Sequence, residues 1–247
     1  MAAYEYRRLD RWVRGASNGW TSPDVAARFE AGTRGGHYLE ILPFGPAMAS
    51  APAAQEVLEL LARTGLEEAV LLDFGCGNGA YGALLAASEA TGRWRYVGAD
   101  VNRLCVESCR RRFPGDRFEV VPEDGPLPFA AASVDVILAS GVVECVEDPN
   151  TLLEEFRRIT RAWVLLCRLG VRPDTPPAMY WQTVRHAWGL EAHCFHVFNR
   201  TDLDAMIARA GFEIVWHGVS PASGEWVAPD DPVPMRHFSY LLRRATG

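Results

Sequence analysis

A glycine-rich turn between a short apolar run and a helical pattern constrains the fold of this chain most. Residues Ala69–Asp73 form the apolar run, Asp73 to Gly79 read D-x-G-x-G-x-G, and residues 80–90 then carry apolar positions at helical spacing. Glycines let the backbone turn tightly after a buried strand and approach a ligand closely, while the amide groups that start the new helix face that ligand. The turn is therefore predicted to bind a nucleotide-like molecule with a carboxylate or a phosphate.

Two interpretations of this turn compete. The segment Gly75-x-Gly77-x-x-Ala80 also satisfies the dinucleotide fingerprint G-x-G-x-x-G/A. Asp73, two positions before the first glycine, separates the two interpretations. Its carboxylate can hold a ligand ammonium or the loop itself, and beside a pyrophosphate it would be repulsive.

A second acid follows at the end of the next predicted strand. Asp100, followed by Val101, lies 21 residues after Gly79. A carboxylate there can accept both hydroxyls of a ribose, as in nicotinamide-dependent enzymes. The structural alternative is an N-cap for the helix that follows.

The pattern after residue 50 alternates helices and strands with short connections, which predicts a Rossmann-like α/β fold with ligands at the carboxyl ends of the strands. We expect a seven-stranded, mostly parallel sheet with an antiparallel last strand, under a helical lid built from residues 1–50 and the insert 170–199. Residues 51–247 would form the main domain. The predicted helices are 53–64, 80–90, 103–113, 151–161 and 201–210, and the predicted strands are 69–73, 94–100, 118–121, 134–139, 163–168, 212–219 and 236–242.

Composition excludes several classes of function. A net charge of −6 without a basic tract argues against nucleic acid as a partner, and Arg110–Arg112 are expected at a helix end, where cations complement the dipole. The absence of an apolar run of about 18 residues and of an apolar signal core predicts a cytoplasmic chain with no membrane partner. The six cysteines are scattered without a C-x-x-C pair, so they are expected to be buried reduced thiols, and no metal site is predicted.

The stretch from Leu127 to Pro149 carries a family resemblance. It reads LPFAAASVDVILASGVVECVEDP and closely resembles LPF-x4-FD-x-V, a small residue and VLEHV-x-DP of small-molecule methyltransferases of the ubiquinone and menaquinone biosynthesis type. With Asp73, the glycines and Asp100 in register, residues 50–170 resemble the class I S-adenosylmethionine-dependent methyltransferases. The resemblance implies S-adenosylmethionine as the cofactor.

The resemblance also implies the cofactor contacts. It puts the methionine end of the cofactor against Asp73, Gly75 and Gly77 and the ribose on Asp100. The remaining predicted contacts in these two turns are Cys76, Gly79 and Val101.

Three further positions follow from the same resemblance. Glu123 occupies the position of the usual aspartate near the adenine amine, and Asp124 follows it. Ser140 or Gly141 would line the side from which the methyl group leaves. Cys145 stands where the family usually has histidine, so catalysis cannot be assigned to that position.

The insert 170–199 is rich in aromatic and histidine residues and follows the fifth predicted strand. A histidine near its neutral pKa can take a proton from an acceptor, which makes His193 and His196 the candidate bases. Structural hydrogen-bonding roles are the alternative for both. Two roles are open for the aromatic and histidine side chains of this insert. They either form an acceptor pocket or serve the ordinary packing of the cap. The predicted substrate contacts are Tyr180, Trp181, His186 and Trp188.

The predicted function is S-adenosylmethionine-dependent methyl transfer to the oxygen, nitrogen or carbon of a small molecule. One alternative is an NAD(P)-dependent oxidoreductase, supported by the glycine turn and Asp100. The other is a non-catalytic partner protein on an adenosylmethionine fold, which the cysteine at position 145 makes plausible. The sequence leaves the acceptor and the oligomeric state open.

Overall fold

A computed structural model describes residues 3–13, 23, 26–27, 50–88, 93–123, 125–186, 189–221, 226–228 and 231–246. Every predicted helix and strand in these ranges is present, with shifted ends. The helices are α1 Pro52–Ala62, α2 Ala80–Ala87, α3 Arg103–Arg112, α4 Pro149–Ile159 and α5 Arg200–Arg209. The strands are β1 Ala3–Leu9, β2 Val70–Phe74, β3 Arg95–Asp100, β4 Arg117–Val120, β5 Val134–Ser140, β6 Thr160–Arg172, β7 Ala178–His186, β8 Gly189–Asn199, β9 Phe212–Val219, β10 Trp226–Ala228 and β11 Asp231–Arg244.

Seven strands form the predicted sheet, in the order β4-β3-β2-β5-β6-β11-β9. Strands β2 to β6 pair in parallel, and β11 runs antiparallel between β6 and β9. The chain crosses from the β4 edge back to β5 beside β2, so the strand order reverses there. In open sheets of this kind the ligand crevice lies outside the carboxyl ends of the strands at such a reversal.

Most of residues 1–50, the other part of the expected helical lid, lie outside the described residues. The insert 170–199 differs from the expected helical cover. In the structure it is a hairpin of β7 and β8, with β1 antiparallel on the outer side of β7 and β8 parallel to the end of β6. Its side chains alternate between two faces, as the buried Phe195 and Val197 and the opposed Tyr180 and Ala178 show. Aromatic and β-branched residues suit such a pleated surface, and β6 supplies the neighbour that the hairpin needs.

Side-chain capping defines where two of the helices begin. Asn102 accepts the amides of Leu104 and Cys105 at the start of α3. Asp148 accepts the amides of Asn150 and Thr151 at the start of α4, and Pro149 occupies the first helical position. Both ends follow the ordinary capping preferences, and the arginines at 110–112 lie in the last turn of α3, as predicted.

The core has a layer on each side of the sheet. Neighbouring strand residues alternate between the layers, with Leu72 and Val164 in one and Leu71 and Leu165 in the other. All four are fully buried, as expected for parallel strands covered by helices on both faces. The six cysteines are free, and all except the half-buried Cys145 are buried, which agrees with the predicted reduced thiols.

Phe156 is the residue of α4 on which this packing can be tested. Its ring is fully buried and meets Phe74 edge to face, with 5.2 Å between centroids. Phe156→Ala should lower the free energy of unfolding by about 3–5 kcal/mol, because a cavity replaces the ring. Urea denaturation measures the change, and Leu104→Ala, at a side chain that is 45% exposed, should change it by less than about 0.5 kcal/mol. Equal effects of the two substitutions would contradict the packing.

Candidate functional site

A cavity of about 430 Å³ opens at the carboxyl ends of β2, β3 and β5. Five of the residues predicted to bind a cofactor line it: Gly75, Asp100, Val101, Glu123 and Ser140. Gly141 and Cys145 also line it. The sheet thus brings together positions that lie up to 70 residues apart in the chain.

The glycine loop is bonded to the end of β3. The amides of Gly75 and Cys76 both donate to the carbonyl of Ala99, at 2.8 and 3.0 Å. Gly75 has φ +79°, and a Cβ atom there would lie 2.9 Å from Cγ2 of Val142, which lines the cavity. A side chain at position 75 is therefore excluded by both the backbone conformation and the space.

Asp100 uses both carboxylate oxygens to hold backbone. Oδ2 accepts the amide of Gly77 and Oδ1 accepts the amide of Asn102, each at 2.8 Å. Burial raises the pKa of Asp100, and the backbone hydrogen bonds oppose that rise. Each oxygen can accept a further hydrogen bond, so the carboxylate can hold the loop and also accept ligand hydroxyls. The N-cap of α3 is Asn102 rather than Asp100.

The underside of the loop is packed rather than open. The thiol of Cys109 donates to the carbonyl of Gly77, and the amide of Gly79 donates to the carbonyl of Cys76. A Cβ atom on Gly79 would lie 2.9 Å from the ring of Phe113. Of the predicted contacts, Cys76, Gly77 and Gly79 therefore shape the loop from behind, outside the residues that line the cavity.

Asp73 also lies behind the loop. Its carboxylate is buried and accepts a hydrogen bond of 2.6 Å from the hydroxyl of Tyr96. Burial and, to a smaller extent, the nearby Asp100 raise the pKa of Asp73 to about 7 against the opposing effect of the hydrogen bond from Tyr96. The structure thus shows this acid tied to a neighbouring strand and not among the residues that line the cavity.

The rim of the cavity opposite the loop is acidic. Glu123 lines it after β4, while Asp124 lies outside the described residues. Glu147, Asp148 and Glu155 also line the cavity and were not predicted from the sequence. The end of the Leu127–Pro149 stretch carries Glu147 and Asp148, whereas Glu155 lies beyond it, on α4.

Glu155 and Arg158 fix the lower wall of this rim. Glu155 accepts the amide of Leu127 at 2.7 Å, and Arg158 donates to the carbonyls of Leu127 and Phe129. The two side chains also bond each other at 2.7 Å, which lowers the pKa of Glu155. The loop between β4 and β5 is thereby held against α4.

The far end of the cavity carries a hydroxyl pair. The Oγ atom of Ser140 lies 3.0 Å from the hydroxyl of Tyr81 on α2. Burial raises the pKa of Tyr81 far above its usual value, so this hydroxyl stays protonated at neutral pH. The pair can donate to or accept from a ligand beside Ser140.

The hairpin reaches the cavity wall through His196. Its Nε2 atom lies 3.1 Å from the carbonyl of Val146, which lines the cavity, and its ring stacks on Trp12 and Phe198. Burial lowers the pKa of His196. His193 is buried on the opposite face of β8, so the two candidate bases are not brought together.

The predicted substrate residues are divided between the two faces of the hairpin. Trp181 pairs with Cys194 and shares the face of His196, whereas Tyr180 is buried against Phe195 and bonds Arg172 on the other face. Trp188 and the side chain of His186 lie outside what the structure describes.

The described residues hold neither a metal cluster nor a membrane-spanning helix. They contain no group of three or more His, Cys, Asp and Glu side chains arranged to hold a metal ion. None of the helices in the described ranges is long and apolar enough to cross a membrane.

Comparison with known proteins identifies relatives. Residues 72–166 match a family described as a methyltransferase domain. The chain is 36% identical over 123 residues to trans-aconitate 2-methyltransferase of Azoarcus sp. strain BH72, a match that covers 48% of this chain and 46% of that protein. Across three curated relatives the matches span 28–57% of the relatives' lengths.

Solved structures share the fold over nearly the whole chain. One is the Burkholderia thailandensis 1,6-didemethyltoxoflavin-N1-methyltransferase, with its substrate and S-adenosylhomocysteine bound, at a TM-score of 0.62, 17% identity and coverage of 98% of this chain and 95% of that chain. Another is the cyclase SpnF, at a TM-score of 0.63, 16% identity and coverage of 94% of this chain and 97% of that chain. At these identities the likeness concerns the fold and not the reaction.

The burial of Asp73 predicts a pH dependence of stability. The pKa of Asp73 is about 7 in the folded chain, against the ordinary value of 3.8 expected in the unfolded chain. Between these two pH values the folded chain binds more protons than the unfolded chain, so stability falls as pH rises through this range. In Asp73→Asn this loss is absent, and the stability of the variant relative to the parent should rise by up to about 1.4 kcal/mol per pH unit. Urea denaturation from pH 4 to 8 measures it, with the exposed Asp202→Asn as control. A difference that stays flat with pH would contradict the prediction.

Proposed function

We propose that this chain, whose residues 72–166 match a methyltransferase domain, is a class I S-adenosylmethionine-dependent methyltransferase and transfers the methyl group to a small-molecule acceptor. The observation that supports the proposal best is the cavity that Gly75, Asp100 and Ser140 line at the reversal of strand order. The ends of β2, β3 and β5 meet there. Class I domains hold S-adenosylmethionine in this crevice, which Gly75 lines.

The charge of the cavity favours this cofactor over a dinucleotide. Among the described residues that line it, Asp100, Glu123, Glu147, Asp148 and Glu155 are acidic and none is basic. A pyrophosphate would be repelled by these carboxylates, whereas a sulfonium and an ammonium group would be attracted. The acidic lining therefore disfavours the oxidoreductase interpretation, which the glycine turn alone leaves open.

The residues present fit the cofactor. Asp100 would accept the ribose hydroxyls while it holds the amide of Gly77, and Glu123 would accept from the adenine amine. Gly75 and Ser140 would flank the methionine end. The bound cofactor supplies a reactive methyl group, so the protein mainly has to align the acceptor and exclude water.

The chain's own contribution to the reaction is positioning. Ser140 and Tyr81 place a hydroxyl pair at the acceptor end of the cavity. His196 holds the wall through the carbonyl of Val146, and this hydrogen bond requires a proton on Nε2, so that nitrogen is a donor and not a base. We therefore give His196 a positioning role.

A small-molecule acceptor is supported by the size of the cavity, about 430 Å³, and by the relatives. The trans-aconitate and didemethyltoxoflavin methyltransferases carry small molecules in their names. The net charge of −6 argues against a polyanion such as nucleic acid as the acceptor.

Calorimetry with S-adenosylmethionine, S-adenosylhomocysteine and NAD⁺ tests the cofactor, and transfer of a labelled methyl group to a panel of small molecules tests the reaction. Binding of both adenosyl ligands and not of NAD⁺ is expected. Tighter binding of NAD⁺ would favour the oxidoreductase. Adenosyl-ligand binding without transfer to any acceptor would favour the partner protein.

Asp100→Ala should weaken S-adenosylhomocysteine binding by about 1–3 kcal/mol, because hydrogen bonds to a charged group are lost. Calorimetry measures the change. Asp116→Ala, at an exposed acid in the turn between α3 and β4, is the control and should bind as the parent does. Parental affinity in Asp100→Ala would remove this carboxylate from the site.

The insert is proposed to form part of the acceptor pocket, on the face that carries Trp181 and His196. Trp181→Ala should leave S-adenosylhomocysteine affinity unchanged and lower kcat/KM for the acceptor about tenfold or more, because only acceptor contacts are lost. Trp216→Ala, on β9 beneath Arg63, is the matched control. A loss of cofactor affinity in Trp181→Ala, or unchanged turnover, would contradict this role.

A further inference from the structure

Arg168 lies in a bulge near the end of β6. Leu166 pairs with Tyr240 and Leu169 with Phe238, so two residues of β6 face the single residue Ser239 of β11. Arg168 adopts φ +64° there, and its amide donates to the Ser239 hydroxyl at 3.2 Å. A positive φ is unfavourable for a residue with a side chain, and bulges beside active sites commonly re-aim a side chain.

The bulge directs the guanidinium of Arg168 to the acceptor end of the cavity. A Cβ atom built on Gly141, which lines the cavity, would lie 3.2 Å from Nη1 and 3.4 Å from Nη2 of Arg168. Gly141 has φ +67° and follows Ser140, whose hydroxyl contacts Tyr81. The cation therefore lies directly behind the cavity wall, where glycine leaves no side chain between them.

This guanidinium has no partner in the part of the chain that the structure describes. It makes no hydrogen bond and no ion pair with these residues. The acids whose charges it influences are Glu56 and Glu144, but neither lies within ion-pair distance. Arginine side chains that are half-buried usually pair with carboxylates, because an unpaired buried charge is costly.

The surrounding acids have unused hydrogen-bonding capacity. Glu56 accepts from the Ser220 hydroxyl at 2.6 Å through Oε2, and its Oε1 atom is buried without a hydrogen bond, as is Oε2 of Glu144. Burial raises the pKa of Glu144 to about 7. Burial, together with the nearby Arg168, lowers the pKa of His237 to about 4, so its imidazole is neutral at pH 7.

We propose that Arg168 binds a carboxylate of the acceptor, and that the acceptor of this chain is a small carboxylic acid seated beside Ser140 and Gly141. This inference rests on the proposed methyl transfer. The planar fork of a guanidinium matches a carboxylate with two parallel hydrogen bonds. The hydroxyls of Tyr81 and Ser140 lie at the same end and can supply further hydrogen bonds.

A carboxylate suits this place better than a phosphate does. Among the described residues, Arg168 is the one cation whose charge acts on Glu56, Glu144 and His237, and His237 is itself neutral. Glu56 and Glu144 oppose any added negative charge. A monoanion can be neutralised by one guanidinium, whereas a phosphate carrying nearly two charges would remain partly uncompensated beside two acids.

The competing explanation is that Arg168 balances the two acids at a distance and never contacts a ligand. Neither interaction is a hydrogen-bonded pair, and such pairs are what normally stabilise a half-buried arginine. Under this explanation, loss of the guanidinium would lower stability and leave acceptor binding unchanged.

The experiment measures binding of acetate, benzoate and succinate to the complex of the protein with S-adenosylhomocysteine, each beside its neutral amide. The parent complex should bind at least one acid at least tenfold more tightly than its amide. Arg168→Gln should abolish that preference, and Arg168→Lys should retain part of it. S-adenosylhomocysteine affinity should match the parent in both variants and in the control Arg111→Met, on the exposed end of α3.

A second readout does not depend on a variant that folds poorly. The Nε resonances of ¹⁵N-labelled arginine in the parent complex should include one that shifts with the acid and not with its amide, and this resonance should be absent from Arg168→Lys. An acid preference that survives in Arg168→Gln, or a shifted resonance that persists in Arg168→Lys, overturns the inference. So does a tenfold loss of S-adenosylhomocysteine affinity in Arg168→Gln, which would assign the cation to the cofactor. If the parent itself does not bind S-adenosylhomocysteine, the proposed function fails instead.

Discussion

The carboxylate of Asp100 is the interaction on which the site depends. It holds the amides of Gly77 and Asn102 at 2.8 Å each, and so ties the glycine loop after β2 to the turn after β3. Two loops that begin on neighbouring parallel strands thereby become one rigid edge. Because a carboxylate has more lone pairs than these two amides use, the group that builds the edge can also receive a ligand. Structure and binding share one side chain here.

The electrostatics of the cavity follow from what surrounds that edge. Carboxylates line the cavity after β4, just before α4 and within α4. None of the described lining residues is a cation. A surface of this kind selects a positively charged ligand by Coulomb attraction and rejects a diphosphate. The glycine turn alone leaves the two nucleotide cofactors in competition, and the acidic rim separates them. The acidic rim thus supports the proposed cofactor on physical grounds that are independent of the family.

Polarity is distributed unevenly between the two ends of the cavity. The rim near Glu123 is acidic, whereas the end near Ser140 holds hydroxyls and, behind Gly141, the cation of Arg168. The anionic acceptor proposed above would meet the cation of Arg168 at the Ser140 end. This charge would orient the acceptor before any chemistry, and orientation is the main demand that methyl transfer makes of a protein.

Local sequence determined the glycine turn and the order of helices and strands, because these depend on short-range periodicity or on a motif within one loop. The resemblance to a known family placed Glu123 and Ser140 beside Gly75 and Asp100, and all four line the cavity. Only the tertiary structure decided the rest. Asp73 bonds Tyr96 on the next strand, and the insert is a hairpin because β6 offers it an edge. Arg168 gained its place through a bulge opposite Ser239, 71 residues away. Contacts of this kind depend on which strands become neighbours, and no local pattern encodes that pairing.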